Sequence, residues 1–198
     1  MLNNTNIIHV VIDIETLGIV QSLAKKGTCP ILEAAFATVE YIDNQWMVTI
    51  SGENAFSLGN QFEEHADKET IEWHSTKNKE NYVEMLRASL ESPLNVADGF
   101  SNSLEAINDM AKESGKEVHY WAQGKDFDYT ILSAYAVQNN FTYPFMRDFN
   151  FTKTHCLRDL IAFTGHKTSI KNNSPHRAHD DAVFEASVLA EILNSRGA

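Results

Sequence analysis

The stretch Ile7-Ile8-His9-Val10-Val11-Ile12 is short, apolar and rich in β-branched residues, which is typical of a buried strand. It runs directly into Asp13-Ile14-Glu15-Thr16. Because strand side chains alternate between the two faces, Asp13 and Glu15 point to the same face. Two adjacent carboxylates repel each other, and a hard divalent cation such as Mg²⁺ or Mn²⁺ relieves that repulsion. An ordinary solvent-exposed strand end is the simpler explanation of this pair alone, so the metal-site interpretation depends on the rest of the chain.

Length and composition indicate one globular domain, residues 1–198, with a sizeable core, because 43% of the 198 residues are hydrophobic. No apolar stretch approaches the roughly 20 residues of a membrane span, and the first six residues do not resemble a signal peptide. The two cysteines, Cys29 and Cys156, lie too far apart in sequence to suggest a disulfide framework or a metal-ligand pair. We therefore expect a cytoplasmic protein with no membrane association.

The formal net charge of −11 argues against broad, non-specific binding of duplex nucleic acid, which relies on a basic surface. It leaves open a protein whose clustered acids are neutralised by bound metal ions.

The hydrophobic pattern predicts a sheet that begins as a meander and continues with alternating helices and strands. Asp43-Asn44 is a hairpin signal between two strands, and Asp67 and Asn78 are suitable helix caps. This order of elements predicts an α/β fold in which helices pack on a mixed sheet. The predicted strands are 31–42, 45–51, a short piece at 55–58, and 118–122; the predicted helices lie near 69–73, 78–90, 96–111, 127–137, 157–164 and 178–193.

A second acidic segment, Gln123-Gly124-Lys125-Asp126-Phe127-Asp128, follows the strand predicted at 118–122 and opens a helix. Sites of open α/β sheets form at the carboxyl ends of strands, so Asp128 is suited to join the first acidic pair. We expect Asp126 to cap the helix and Phe127 to anchor it in the core. Ordinary capping explains both acids equally well, because acids are favoured in the first turn of a helix.

The third segment is His176-Arg177-Ala178-His179-Asp180-Asp181-Ala182. Pro175 marks a helix start nearby, which places His176 in the preceding loop and allows it to converge with Asp181. Asp181 adjoins the apolar stripe of the last helix, an unfavourable position for a carboxylate without a partner. A loop histidine without a role is the simpler explanation of His176 taken by itself.

Together and in this order, the three segments resemble the motifs of the DEDD exonuclease superfamily, in its histidine-containing branch. The resemblance covers residues 7–194. The segment Thr70-Ile71-Glu72-Trp73 is similar to a helix of the group that contains phage exonuclease A and mycobacterial exoribonucleases. Two positions depart from that group's pattern: Gln123 replaces a common Asn, and His74 replaces a second aromatic residue.

The resemblance implies a ribonuclease-H-like fold, with a mixed central sheet flanked by helices on both faces. It implies a 3′–5′ exonuclease that hydrolyses terminal phosphodiesters of DNA or RNA and releases nucleoside 5′-monophosphates. Two Mg²⁺ or Mn²⁺ ions would be held by Asp13, Glu15, Asp128 and Asp181, with Asp13 touching both. His176 would be the general base that accepts the proton of the attacking water.

The resemblance also implies a site for a single-stranded 3′ end, and it is compatible with a homodimer and, for a phage-encoded protein, with the host cytoplasm. Trp73 would stack on a base, although a core tryptophan is an equally good explanation. The basic side chains near the predicted site are either phosphate contacts or solvated surface. The predicted substrate-binding residues are Leu17, Gly18, Trp73, Gln123 and Phe127; the basic residues are Lys125, Lys167, Lys171 and Arg177.

Two alternatives stay open at this point. One is a non-catalytic module of the same fold that binds nucleic acid or protein. The other is a small-molecule hydrolase with a carboxylate metal site. The sequence contains neither a Gly-x-Ser-x-Gly nucleophile elbow nor a glycine-rich phosphate loop, which argues against serine hydrolases and nucleotide-dependent enzymes.

Overall fold

The computed structural model describes residues 4–27, 29–61, 65–92, 96–147, 152–172 and 174–196. No helix within these ranges is long and apolar enough to cross a membrane. The strands are β1 (Ile7–Thr16), β2 (Ile31–Ile42), β3 (Gln45–Ala55), β4 (Glu117–Ala122) and β5 (Thr154–Cys156); the helices are α1 (Val20–Lys26), α2 (Lys68–Lys77), α3 (Lys79–Glu91), α4 (Val96–Glu113), α5 (Lys125–Gln138), α6 (Pro144–Arg147), α7 (Leu157–Thr164) and α8 (Ala178–Ser195).

The five strands form one mixed sheet in the order β3-β2-β1-β4-β5. β1, β2 and β3 are an antiparallel meander, and β4 and β5 continue the sheet in parallel on the other side of β1. The turn between β2 and β3 has positive φ at Asp43 (51°) and Asn44 (64°), which matches the twist of a tight hairpin. The predicted mixed sheet and its hairpin are therefore confirmed.

The alternating side chains of β1 divide the molecule into two cores. Ile8, Val10 and Ile12 face a cluster that includes Phe100 of α4 and Leu132 of α5. Val11, from the other face, packs with α8 in a second cluster. Since Asp13 and Glu15 share the face of Val11, the two acids lie on the side of the sheet that α8 covers.

Helix α8 packs closely on β1, β2 and β3 because its buried stripe is built largely of alanine. Ala178, Ala182 and Ala186 are fully buried against the sheet, with Leu189 and Leu193 continuing the stripe. Small side chains at four-residue spacing let the helix approach the strands closely. The start of α8 is thereby held near the end of β1.

Several predicted boundaries differ from the structure. β1 continues through Thr16, because Asp13 and Glu15 are paired with Ala35 and Glu33 of β2. The strand piece predicted at 55–58 is wrong, since β3 ends at Ala55 and a short 3-10 turn follows at Leu58–Asn60. Helix α1 and strand β5 were not predicted.

The start of α5 also differs from the prediction. The helix begins at Lys125 with Gly124 as its N-cap, so Asp126 does not cap it. Asp126 lies in the exposed first turn, where an acid is favoured by the helix dipole. In contrast, the caps of α2 and α7 agree with the sequence: Asp67 accepts the N–H of Thr70, and Gly165 ends α7 in the left-handed conformation.

Candidate active site

A cavity of about 820 Å³ opens at the carboxyl ends of β1 and β4, where sites form in open α/β sheets. Its polar lining comes from the end of β1, from α2 and its N-cap, from the start of α5, from α7, from the loop before α8, and from α8 itself. The cavity brings together all of the predicted catalytic residues, which are Asp13, Glu15, Asp128, His176 and Asp181. Three further acids line it: Glu185 of α8, and Asp67 and Glu69 at the start of α2.

Asp13 lies at the centre of this group of acids. Its Oδ2 atom is buried and has no hydrogen-bond partner within the described part of the chain. Burial, and then the charges of Glu185 and Asp128, raise the pKa of Asp13 well above its ordinary value. An unpartnered, buried carboxylate oxygen surrounded by other acids is a position that a cation would stabilise.

Glu15 lies two residues after Asp13 on β1 and points to the same face of the sheet. Burial and the charges of Asp181 and Glu33 raise the pKa of Glu15 to about 8. Glu33 is directly opposite Glu15 in the β1–β2 pairing, and its carboxylate is bound by Arg177 through contacts of 3.0 and 3.2 Å. Arg177 therefore lowers the repulsion that Glu33 exerts on Glu15.

Asp128 is 4% exposed in the first turn of α5 and reaches back to β1. Its carboxylate accepts its own backbone N–H and that of Ile14. Ile14 can donate because β1 extends beyond its last pairing with β4 at Val11. Burial outweighs these hydrogen bonds and raises the pKa of Asp128 to about 7. Helix capping therefore does not explain Asp128, whose side chain points into the acidic site.

Asp181 and His176 are joined through the backbone. The N–H of His176 donates to Asp181 Oδ2 at 2.8 Å, and the side-chain amide of Asn172 donates to Oδ1. Burial raises the pKa of Asp181 despite these two hydrogen bonds. One donor atom each from Glu15, His176 and Asp181 lies within 4.8 Å of the other two, which is close enough for a shared ion.

The loop that carries His176 is held in a strained conformation. His176 has φ of 67°, in the left-handed region that non-glycine residues rarely adopt. Asn78 Nδ2 donates to the carbonyl of His176 at 3.2 Å, and Asn81 Nδ2 donates to that of Pro175 at 3.0 Å. The prediction that Asn78 caps α3 is therefore wrong for its side chain, which is turned to the loop instead.

Trp73 lines the cavity and is 40% exposed, so it is not a core tryptophan. Its ring meets the ring of His176 edge to face, with centroids 4.7 Å apart. His74, in contrast, is buried: its Nε2 lies 3.0 Å from the Thr16 carbonyl and its ring stacks on Tyr82. Burial lowers the pKa of His74, so this histidine is a neutral structural link between α2 and the end of β1.

The other predicted substrate-binding residues divide into two groups. Gly18, Gln123 and Phe127 line the cavity. Leu17 does not: it is buried in a small apolar cluster that includes Leu32 and Met85. Its side chain supports the end of β1, and a substrate contact by Leu17 stays a prediction.

The predicted basic residues lie elsewhere. Lys125, Lys167, Lys171 and Arg177 are not among the residues that line the cavity, and Arg177 is bound to Glu33 and Glu84. Among the described lining residues, the one lysine or arginine is Arg158, which follows β5. Sequence reasoning missed it because β5 was not predicted.

Sequence reasoning also missed Glu185. This residue follows Asp181 by four positions, so both carboxylates extend from the same side of α8. Glu185 is 4% exposed, and the backbone N–H of Gln123 donates to its carboxylate. Burial and then the charge of Asp128 raise the pKa of Glu185 well above its ordinary value. An acid within an otherwise apolar stripe was the signal that could have revealed it.

The donor set suits a hard divalent cation. The site offers carboxylate oxygens from the sheet and from two helices, and soft thiolate ligands are not among the described lining residues. Mg²⁺ and Mn²⁺ prefer such oxygen ligands. The unpartnered Oδ2 of Asp13 is the feature that a bound cation would satisfy.

Comparison with known proteins agrees with this geometry. A family model described as the Rv2179c-like 3′-5′ exoribonuclease domain matches residues 8–193. No curated protein matches the chain in sequence.

Solved structures with the same fold include three nucleases, all below 25% identity. The nuclease domain of 3′hExo, a DEDDh family member bound to rAMP, is 14% identical with a TM-score of 0.54 over 95% of this chain and 92% of that one. Cell-death related nuclease 4 (CRN-4) is 12% identical with a TM-score of 0.52 over 98% and 67%. The RNase domain of yeast Pop2 is 15% identical with a TM-score of 0.51 over 98% and 78%. The shared architecture is the ribonuclease-H-like mixed sheet flanked by helices.

Proposed function

The chain belongs to the Rv2179c-like 3′-5′ exoribonuclease domain family and is a 3′–5′ exonuclease, and we propose that it releases nucleoside 5′-monophosphates from the 3′ end of a single strand in a reaction that uses two divalent cations. The family description favours RNA as the substrate. The observation that carries the proposal is the convergence of four acids and a histidine at one cavity.

We assign the metal ions to the four predicted acids. Asp13, with its unpartnered Oδ2 at the centre of the group, would contact both ions. Glu15 and Asp181 would hold one ion, and Asp128, from the opposite side of the site, would hold the other. When bound, two Mg²⁺ or Mn²⁺ ions would supply the positive charge that activates water and stabilises the leaving 3′ oxygen.

His176 is the proposed general base. Its side chain is exposed to the cavity, and one of its ring nitrogens lies within 4.8 Å of carboxylate oxygens of Glu15 and Asp181. A neutral imidazole can accept a proton from water near neutral pH. The bonds from Asn78 and Asn81 hold the backbone carbonyls of His176 and Pro175, and so support the loop that carries the ring.

The terminal nucleotide would be held by stacking and charge. The exposed face of Trp73 would stack on a base, which contributes about 1–3 kcal/mol for each base and tolerates any sequence. Arg158 would contact a backbone phosphate, since it is positively charged and lines the cavity beside the acids. Gly18, Gln123 and Phe127 would contact the sugar and the base.

The test compares wild-type protein with Asp13→Ala on 3′-labelled single-stranded RNA and DNA, each with Mg²⁺, Mn²⁺ or EDTA. We expect wild-type protein to release labelled mononucleotide with metal and none with EDTA. Asp13→Ala should be inactive while its fold, followed by circular dichroism, is retained or stabilised by reduced repulsion. Asp126→Ala is the matched control, because Asp126 is an exposed acid at the start of α5 that does not line the cavity.

Hydrolysis by Asp13→Ala at the wild-type rate would refute the metal-site proposal. Binding of the oligonucleotide by wild-type protein without any hydrolysis, and without uptake of Mn²⁺, would instead favour the non-catalytic binding module.

A further inference from the structure

Glu185 is a buried acid with one carboxylate oxygen satisfied and the other without a partner. The backbone N–H of Gln123 donates to the carboxylate, yet Oε2 is buried and has no hydrogen-bond partner among the described residues. A second hydrogen-bond donor is the usual requirement for burying such a group. A bound cation would satisfy this oxygen.

The position of Glu185 relates it to the acidic cavity rather than to the core. It lines the same cavity as Asp13, Asp128 and Asp181. Of the charged neighbours of Asp13, Glu185 contributes most to the raised pKa of Asp13, as expected for two acids that line one cavity. Asp13 Oδ2 and Glu185 Oε2 are thus two unpartnered carboxylate oxygens in one buried site.

The neighbouring residues include one positive charge that favours ionisation of Glu185, although burial and the other acids raise the pKa of Glu185 in the metal-free protein. The guanidinium of Arg158 attracts both Asp128 and Glu185, which offsets part of the extra negative charge. The flanking positions of α8 that pack on the sheet, Ala182, Ala186 and Leu189, are apolar. An apolar side chain at position 185 would continue this stripe without any desolvation penalty.

We propose that Glu185 is a fifth carboxylate ligand of the metal centre, contributing Oε2 to the ion held by Asp13 and Asp128. The inference rests on the proposed function, because it assigns a further ligand to the same metal site. Gln123 would position this ligand, since its backbone N–H holds the other oxygen of the carboxylate. That bond joins the loop between β4 and α5 to the middle of α8.

The test is calorimetric titration of Mn²⁺ alone into wild-type protein and into the Glu185→Gln, Asp13→Ala and Glu191→Gln variants. Glu185→Gln keeps an acceptor for the Gln123 N–H but removes the charge. Glu191→Gln is the matched control on α8, because Glu191 binds His166 at 3.1 Å outside the cavity. We expect Glu185→Gln to lose one Mn²⁺ or to weaken its binding at least about tenfold, with Glu191→Gln unchanged.

A second readout is the rise in melting temperature on addition of Mn²⁺, which should be smaller in Glu185→Gln than in wild-type protein. Wild-type Mn²⁺ affinity in Glu185→Gln, alongside loss of uptake in Asp13→Ala, would overturn the role of Glu185 and leave the proposed function intact. No Mn²⁺ uptake by wild-type protein would overturn the metal site itself. If Glu185→Gln does not fold, Glu185→Asp withdraws the carboxylate by one methylene, and wild-type affinity in that variant would also overturn the inference.

Discussion

Replacing Glu15 by Gln should stabilise the metal-free protein, and by an amount that grows with pH. The pKa of Glu15 is raised from 4.5 to about 8 in the folded state by burial and by neighbouring acids. Glu15 therefore destabilises the fold least below pH 4.5, where it is protonated in both the folded and the unfolded state. The destabilisation by Glu15 grows as the pH rises from 4.5 towards 8, because Glu15 ionises first in the unfolded chain.

The magnitude follows from the size of this change in pKa. At about 1.4 kcal/mol for each pKa unit, ionisation of Glu15 costs the metal-free fold up to about 5 kcal/mol above pH 8. At pH 5 the destabilisation by Glu15 is only about 1 kcal/mol, because Glu15 keeps its proton in the folded state and has partly lost it in the unfolded state. The Glu15→Gln variant has no such group, so it should exceed wild-type stability by these amounts.

The assay is urea unfolding followed by tryptophan fluorescence, in EDTA, at pH 5 and at pH 8.5. Glu113→Gln is the control for a general effect of removing a carboxylate, since Glu113 is exposed at the end of α4. In a second series without EDTA, Mn²⁺ at 100 times its Kd should stabilise wild-type protein by about 2.7 kcal/mol. The difference in free energy of unfolding between wild-type protein and Glu15→Gln should then be smaller. Parallel pH dependence of wild-type protein and Glu15→Gln would refute the conclusion that burial and neighbouring acids raise the pKa of Glu15.

Two further variants test the histidine loop and its anchor. His176→Ala should keep Mn²⁺ uptake but hydrolyse the substrate about 10²–10⁴-fold more slowly. The control His179→Ala, at the start of α8, should keep the wild-type rate. Full activity in His176→Ala would remove His176 from the general-base role. Arg177→Met should lower the free energy of unfolding by about 3–5 kcal/mol, because it leaves the buried Glu33 without its ion-pair partner. In urea unfolding, the double variant Arg177→Met with Glu33→Leu should regain most of this free energy.

The sequence predicted the parts of the fold that local chemistry determines. β1, β2 and the Asp43-Asn44 turn follow from side-chain alternation and from residues that tolerate positive φ. β5 was not predictable in this way, because its three residues depend on parallel pairing with β4, more than thirty positions away in the chain. Helix α1 is short and largely polar, so its sequence gives little helical signal. Its position becomes clear only in the structure, where Val20 and Leu23 pack against the core.

The acids of the site were predictable because each follows a strand or opens a helix. Glu185 and Arg158 were not proposed, since their positions depend on how α8 and α7 pack against the sheet. Whether the basic residues of the flanking segments contact phosphate or solvent was left open by the sequence, and none of the four lines the cavity. A departure from the family pattern, His74, proved to be a buried link to the Thr16 carbonyl.

The anchoring of the histidine loop has a consequence for how the enzyme assembles its chemistry. The acids are mounted largely on the sheet and on helices packed against it, whereas His176 and Trp73 depend on α2 and α3, through Asn78 and their edge-to-face contact. The N–H of His176 also donates to Asp181 of α8, so the histidine loop is bound both to α2 and α3 and to the helix that carries Asp181. Changes to α2 or α3 that move Asn78 or Trp73 would therefore also displace His176, although neither helix carries any of the four proposed metal ligands.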